Sequence, residues 1–397
     1  MSTGHVRRCA ARRLLSSFST GLTLVAGVVF VAACADDNEP RSASVSPAMS
    51  PDEVAALHDR LLTIDTHDDI PFDFATDTVD AYDGDRQVSI TKMEDGGLDV
   101  GFFIVYVGQT ERTPENMERA RERAIQKFEA IHRMTSRYPD FIELAYTADD
   151  VERIVADGKL CAAIGIENGF VIGRDLGLLR TYHDMGARYI TLAHGGHNDI
   201  ADSATPRESL GDDPEGEHRG ISAFGETVIA EMNRIGIMVD VSHISKAAMM
   251  DAVRLSRAPV IASHSSTRAL ADHPRNLDDE QLRALAENGG VVQIVALGDY
   301  VKVQPPEGGS PATVTDFVDH IDHAVDVAGL DHVGISSDFD GGGGVVGWND
   351  ASETLNVTAE LVLRGYTEAE IAQLWGGNTL RVWREAERVA AELHAGG

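Results

Sequence analysis

Residues 236–264, GIMVDVSHISKAAMMDAVRLSRAPVIASH, carry the pattern on which the reading of the whole chain turns. Two apolar runs, Gly236–Ser242 and Pro259–Ser263, have the length and composition of buried strands, and each is followed at once by a histidine, His243 and His264. One histidine in such a place is usually a satisfied core residue. Two, on consecutive strands and in the same Ser-His setting, point to a shared ligand, and neutral imidazole suits zinc and similar ions.

The same kind of run recurs in both directions along the chain, at Leu61–Thr66, Val100–Val107, Leu160–Ile166, Ala187–Ala193, Gly290–Ala296 and His332–Ser337. Between the runs lie segments with apolar positions three and four apart, among them Pro114–Met134, Ala223–Ile235, Asp278–Glu287 and Ser310–Ala328. Eight strands alternating with helices predict an α/β protein of the TIM type, a (β/α)8 barrel. Six of the eight runs end in a candidate ligand or acid-base residue: His67 with Asp69, then Glu167, His194, His243, His264 and Asp338. In such a barrel the carboxyl ends of all strands meet at one face, so these residues are expected to converge.

Each has a plain alternative when taken alone. His67-Asp68-Asp69 points two side chains to one side of an extended strand, yet an Asp-rich tripeptide after a strand more often starts a turn. Glu167 ends a run too apolar for a surface strand, so its carboxylate is either paired structurally or bridges cations. Asp338 ends the eighth run, ahead of Asp340 and a glycine-rich turn. His194 could bind metal or stabilise an oxyanion, with His197 on the loop beyond, and Arg275 either makes a surface ion pair or grips a substrate carboxylate in bidentate fashion. Together, their placement at strand ends is what a two-metal hydrolase requires. A bridging carboxylate holds two cations close, their charge lowers the pKa of a shared water, and a further aspartate takes and returns protons.

Composition narrows the partners. The 397 residues include 34 Lys plus Arg against 64 Asp plus Glu, a formal net charge of -30, and a surface that acidic repels phosphate backbones, so no nucleic acid partner is expected. Cys9, Cys34 and Cys161 are too few for a disulfide framework or a cysteine zinc site, which leaves His and carboxylates to hold any metal. Cys161, in an apolar run, reads as a buried small hydrophobe. Residues 1–33 carry Arg7, Arg8, Arg12 and Arg13 ahead of an apolar stretch from Gly21 to Ala33, and small residues precede Cys34, the features of a bacterial lipoprotein signal peptide. Cleavage there would leave Cys34 to carry a lipid and hold the protein on a membrane that its sequence does not span. Residues 34–50 read as a flexible tether and residues 51–397 as one catalytic barrel.

Five stretches then resemble the membrane dipeptidase (renal dipeptidase, peptidase M19) family of the amidohydrolase superfamily: Ile64-Asp65-Thr66-His67-Asp68-Asp69, Gly165-Ile166-Glu167-Asn168-Gly169, Met232-Asn233-Arg234 to His243, Ser263-His264-Ser265-Ser266-Thr267-Arg268-Ala269, and Gly334 to Gly341. The resemblance implies a binuclear site with two Zn2+ per subunit, in which His67 and Asp69 bind one ion, His243 and His264 the other, and Glu167 bridges them. It further implies that Asp338 shuttles the proton from a bridging hydroxide's parent water to the leaving amine, that His194 supports the tetrahedral intermediate, and that Arg275 holds the substrate's terminal carboxylate. The expected substrates are L-Xaa-L-Xaa and L-Xaa-D-Xaa dipeptides; N-acyl amino acid hydrolysis, lactone or β-lactam opening, and an inactive substrate-binding lipoprotein are the rivals. A lipid-anchored place in the bacterial cell envelope, on the periplasmic or extracellular face, is expected, with a homodimer left open. Two positions depart from the family's pattern, His197 and Val295-Ala296, both where substrate would be recognised.

Overall fold

The computed structural model describes residues 49–303 and 309–396, all within one compact unit. Residues 1–33, Cys34 and most of the proposed tether lie outside the described residues. The strands, in chain order, are β1 (Ile64–Asp69), β2 (Val100–Tyr106), β3 (Ile142–Leu144), β4 (Leu160–Glu167), β5 (Ala187–Thr191), β6 (Met238–Asp240), β7 (Ile261–Ser265), β8 (Val291–Val295) and β9 (Val333–Ser336). All pair in parallel, in the order β1-β2-β4-β5-β6-β7-β8-β9, which is the eight-stranded path expected of a (β/α)8 barrel. The circle is drawn closed between its first and last strands by Asp69 N–H donating to Phe339 O at 2.9 Å and by Ser337 N–H donating to Asp65 Oδ1, also at 2.9 Å.

One strand is additional to the sequence reading. β3 pairs with Leu160, Cys161 and Ala162 at the start of β4. The eight-residue β4 begins well before its neighbour β5, whose Ala187 meets only Ile164, so the first turns of β4 have a free edge. Three residues are too few to show a period-two pattern, which is why β3 was not legible. The sixth strand is also shorter than its apolar run. Beyond Asp240 the aspartate side chain takes over the pairing, since its Oδ1 accepts from the N–H of Ser242 at 3.0 Å and of Ser263 at 2.9 Å.

The helices begin where sequence chemistry places them. Thr113, Ser222, Asp278 and Thr313 each cap a helix by accepting from a backbone N–H in its first turn, ahead of helices Pro114–Arg137, Ala223–Ile235, Asp279–Glu287 and Val314–Ala328. Each such cap is worth about 1 kcal/mol. Their buried faces and the outward side chains of the strands form the larger core. A second core fills the barrel, where Ile64, Val100, Ile261 and Val291, all near strand starts, gather around Trp383 of the last helix. Trp383 and Phe102 lie 5.6 Å apart between ring centroids, so this end of the barrel is filled by apolar packing. The opposite, carboxyl end is left for polar groups. Cys161 is buried in the inner core, as expected.

Candidate metal centre and substrate cavity

The carboxyl ends of the strands bring together every strand-end residue singled out from the sequence. Glu167 closes β4 and presents its two oxygens to different neighbours. Oε2 lies 3.7 Å from His67 Nε2, while Oε1 lies 2.9 Å from His243 Nε2, 3.4 Å from His264 Nε2 and 3.4 Å from His194 Nε2. His67 Nε2 is also 3.6 Å from Asp69 Oδ2 and 3.8 Å from Asp338 Oδ1, and the Nε2 atoms of His243 and His264 are 2.7 Å apart. Three overlapping sets of donors follow: His67, Glu167 and His264; Glu167, His194 and His243; His67, Asp69 and Asp338.

Hydrogen bonding fixes which imidazole nitrogen faces the cluster. Tyr189 has one hydroxyl proton, and it is donated to Thr66 O, 2.9 Å away. The same oxygen, 3.0 Å from His67 Nδ1, must therefore accept from an Nδ1–H, which leaves the Nε2 of neutral His67 as a bare lone pair. That Nε2 is fully buried and has no hydrogen-bond partner. The hydroxyl of Ser263 donates to Asp240 Oδ2 at 2.7 Å, so its contact with His264 Nδ1 at 2.8 Å is likewise an acceptance, and His264 also turns a lone pair inward. Buried lone pairs and carboxylates facing one another repel unless a proton or a metal cation lies among them. Around a cation with bonds of about 2 Å, donor atoms stand roughly 3–3.5 Å apart, close to most of the separations seen here. The donor set therefore fits a pair of small, borderline cations such as Zn2+.

Electrostatics divide the cluster. Burial opposes charge on His67, but Glu167, Asp69 and Asp338 outweigh it and hold its pKa well above the ordinary value. Burial, helped by Arg275, pulls His243 well below its ordinary value, and burial with the neighbouring His67 does the same to His264. Burial would raise Glu167, yet His194, His67 and the close approach of the His243 and His264 rings hold it well below the carboxylate range. Burial pushes the Asp338 carboxyl up to about 8, with Asp69 and Glu167 adding to it and His67 and Arg275 opposing. Two carboxylates in one site thus have opposite tendencies, the arrangement by which a stable anion and a proton carrier are told apart.

Backbone geometry contributes something that no local pattern revealed. His243, Asp338 and Asn168 adopt φ values of 68°, 60° and 84°, in the left-handed region that side chains other than glycine rarely occupy. Each such residue costs of order 1–3 kcal/mol, and such strain gathers at functional sites. Asp65 and Asp240 were also missed. Both are fully buried, and they tie strand ends through backbone N–H groups. The available signal was an acid two or three residues ahead of a ligand in an otherwise apolar run, as in Ile64-Asp65-Thr66-His67 and Val239-Asp240-Val241-Ser242-His243.

Asp69, Glu167, His194, His243, His264 and Asp338 line a cavity of about 710 Å3. Arg275, only 3% exposed, reaches its wall from the loop after β7, where its guanidinium donates to His264 O at 3.0 Å and Ser265 Oγ at 3.4 Å. Its Nε is buried without a partner, so the guanidinium retains a free donor for an incoming carboxylate. Tyr300 lies beside it, 5.4 Å from guanidinium carbon to ring centroid. His194 faces the cavity with its Nδ1 unpartnered, 4.8 Å from the Tyr106 ring. His197 is not with them. It is buried in the loop after β5, where Nδ1 accepts from Ser203 N–H at 2.9 Å and Nε2 meets Asp213 O at 2.8 Å, a purely structural setting.

Comparison with known proteins gives a consistent result. Residues 51–396 match the profile described as membrane dipeptidase (peptidase family M19). Dipeptidase aclJ of Aspergillus oryzae is 37% identical over 314 residues, covering 77% of this chain and 72% of its own. The crystal structure of the probable dipeptidase PvdM from Pseudomonas aeruginosa superposes with a TM-score of 0.81 at 32% identity, covering 85% of this chain and 98% of that one. A metallo peptidase from Rhodobacter sphaeroides, liganded with a phosphinate mimic of the dipeptide L-Ala-D-Ala, superposes with a TM-score of 0.72 at 25% identity, covering 82% and 99%.

Proposed function

Because this chain belongs to the membrane dipeptidase family, peptidase family M19, and is a metallodipeptidase, we propose that it hydrolyses L,L and L,D dipeptides with two Zn2+ ions held by His67, Asp69, Glu167, His243 and His264. The observation that carries the reading is the split of Glu167, one oxygen toward His67 and the other toward His243 and His264, as a bridging carboxylate demands. The likeness to a metallo peptidase liganded with an L-Ala-D-Ala mimic supports tolerance of a D-residue at the second position.

The chain's own residues have separable tasks. Arg275 grips the terminal carboxylate, which sets the scissile bond one residue away. When bound, the zinc ions polarise the peptide carbonyl and lower the pKa of water to near neutrality. His194, kept neutral chiefly by burial, presents an imidazole N–H to the carbonyl oxygen as negative charge develops there. Asp338, at the mouth of the barrel beside His67, takes a proton from the attacking water onto a carboxylate oxygen and returns it to the departing amine. Tyr189 and Ser263 hold the ring tautomers of His67 and His264 throughout.

We further place the protein in a bacterial cell envelope, held by lipid on Cys34 after removal of residues 1–33. Among the described residues no helix is long and apolar enough to cross a membrane. A Cys34→Ala variant should move from the detergent-extracted membrane fraction to the aqueous one.

The activity is tested by ninhydrin-detected hydrolysis of a panel of L,L and L,D dipeptides, with and without zinc, alongside Asp338→Asn. Zinc-dependent release that is lost in the variant is the expected result. Silence across the panel from protein carrying two metal ions would overturn the substrate assignment and redirect the search to lactones and N-acylated amino acids.

A further inference from the structure

The dipeptidase reading leaves cations in the cavity wall without a task, and Lys127, the buried one among them, has no ion-pair partner among the described residues. Lys127, on helix Pro114–Arg137, is 4% exposed and lines the same cavity as the metal ligands. Its ammonium lies 5.2 Å from the centroid of the Phe72 ring and 5.7 Å from that of Tyr106, and among the described residues it is hydrogen-bonded to no carboxylate. An ammonium so largely removed from water is costly when unpaired, and aromatic faces compensate only in part. Burial accordingly draws its pKa below the usual value, while Asp69 and Glu167 at longer range pull the other way.

Lys127 is not alone. Arg86 lines the cavity too, donating to Asp69 O at 2.6 Å and pairing with Asp340 at 3.1 Å. Arg207 is a third cation on the wall, and Arg123, one helical turn before Lys127, lies 4.7 Å from the Phe72 centroid. On a chain with a net charge of -30, such a gathering of cations around one corner of one cavity is not a consequence of composition.

The barrel places this corner relative to the substrate. Lys127 belongs to the helix that follows β2, and Arg275 to the loop that follows β7. In the order β1-β2-β4-β5-β6-β7-β8-β9, β2 and β7 stand second and sixth of eight, diametrically across the barrel. A dipeptide whose terminal carboxylate lies on Arg275 and whose peptide bond lies over Glu167 therefore carries its amino-terminal residue toward Lys127. We propose that Lys127 is a specificity-determining residue that receives an acidic side chain on the amino-terminal residue of the substrate, so that Asp-Xaa and Glu-Xaa dipeptides are preferred to their amides. The inference rests on the dipeptidase reading for the direction in which substrate lies.

The test compares isosteric pairs, Glu-Ala with Gln-Ala and Asp-Ala with Asn-Ala, on the zinc-loaded full chain in detergent. A charge-assisted contact with a buried ammonium should favour the better acidic member in kcat/KM by roughly 10- to 100-fold. Lys127→Met should abolish that preference while leaving Ala-Ala turnover within about threefold, and Lys127→Arg should keep part of it. A ratio near one in the wild type, or a preference that survives Lys127→Met, would overturn the inference while leaving the dipeptidase reading intact. If no dipeptide is cleaved, that reading fails by itself. Calorimetric titration with phosphinate mimics of Glu-Ala and Gln-Ala still decides: equal affinities overturn the role of Lys127, and a tighter Glu-Ala mimic that loses its advantage in Lys127→Met supports it.

Discussion

Replacing Tyr189 by phenylalanine removes one oxygen atom that touches neither substrate nor the facing donor atoms, yet it should weaken metal binding. The hydroxyl donates to Thr66 O and accepts from His67 Nδ1, so it alone dictates that the lone pair of His67 faces Glu167 and Asp69. Without it two states compete. In one, Nδ1–H remains and is buried without an acceptor, at a cost of about 1–3 kcal/mol. In the other the proton moves to Nε2, and the ring can no longer act as a ligand. Metal binding must select the first state, so affinity should drop by the cost of the orphaned donor, roughly 10- to 100-fold. Competition for zinc against a chromogenic chelator at pH 7.5 measures this directly, and circular dichroism checks the fold. An affinity within about threefold of wild type, in a folded variant, would refute the tautomer argument. A companion change acts on the same ring from behind. Tyr189 stands opposite Gly165 in the β4–β5 pairing, and a Cβ at Gly165 would lie 2.2 Å from the Tyr189 ring, so Gly165→Ala should displace the whole phenol and lower both affinity and melting temperature further.

Four shorter expectations follow from other parts of the structure. Asp338→Asn should lower kcat by roughly 10²- to 10⁴-fold with metal content unchanged by elemental analysis, and a variant that retains full activity would remove Asp338 from proton transfer. Arg275→Met should raise KM for dipeptides by roughly 10- to 100-fold yet leave dipeptide amides, which lack the carboxylate, at their wild-type rates. Burial, with Asp150 and Glu143 adding to it, pushes the Cys161 thiol well above its ordinary pKa, so mass spectrometry should find it unmodified by a thiol reagent until the protein is unfolded. Burial likewise holds His58 below its ordinary 6.5, where it bonds Gly96 O and Thr358. The unfolded chain then binds the proton first, so stability is complete above pH 6.5 and falls as pH descends toward the folded value; in metal-free protein the urea midpoint of His58→Gln should change less between pH 7.5 and 5 than that of wild type.

The barrel was legible because each strand must be apolar on both faces, which writes an uninterrupted run into the sequence eight times over. The site was legible for a related reason. A His, Glu or Asp at the end of such a run interrupts the apolar pattern, and six interruptions at the same relative position reveal a common plane. What could not be read was set by tertiary contacts. β3 exists only because β4 overhangs β5. The role of Tyr189 depends on a residue of β5 reaching across Gly165 to His67 on β1, a relation between three strands that no single stretch records. His197 carried the same chemistry as its neighbours but belongs to a loop whose backbone groups satisfy both of its nitrogens.

The strained residues explain why the site sits where regular pairing stops. A strand residue alternates between the barrel interior and the helices, so three consecutive strand positions cannot all point at one ion. β6 and β9 end two or three residues short of His243 and Asp338, and at those residues the backbone turns through the left-handed region and redirects the side chain toward Glu167 and His67. The turn at Asp338 is held by its own carbonyl, which accepts from Gly343 N–H at 2.7 Å and Gly341 N–H at 3.2 Å. Glycine is required at Gly341 on grounds of space, because a Cβ there would stand 2.3 Å from Asp69 Oδ2 and 2.5 Å from Asp338 Oδ1. Asp240, fixed by two backbone N–H groups and two hydroxyls, anchors the other turn from inside the barrel. Rigid apolar strands thus bring the donors near one another, and a few strained, hydrogen-bonded turns aim them. Cations among the facing lone pairs and carboxylates would relieve the repulsion that this aiming creates, so metal binding and the strained turns should stabilise each other.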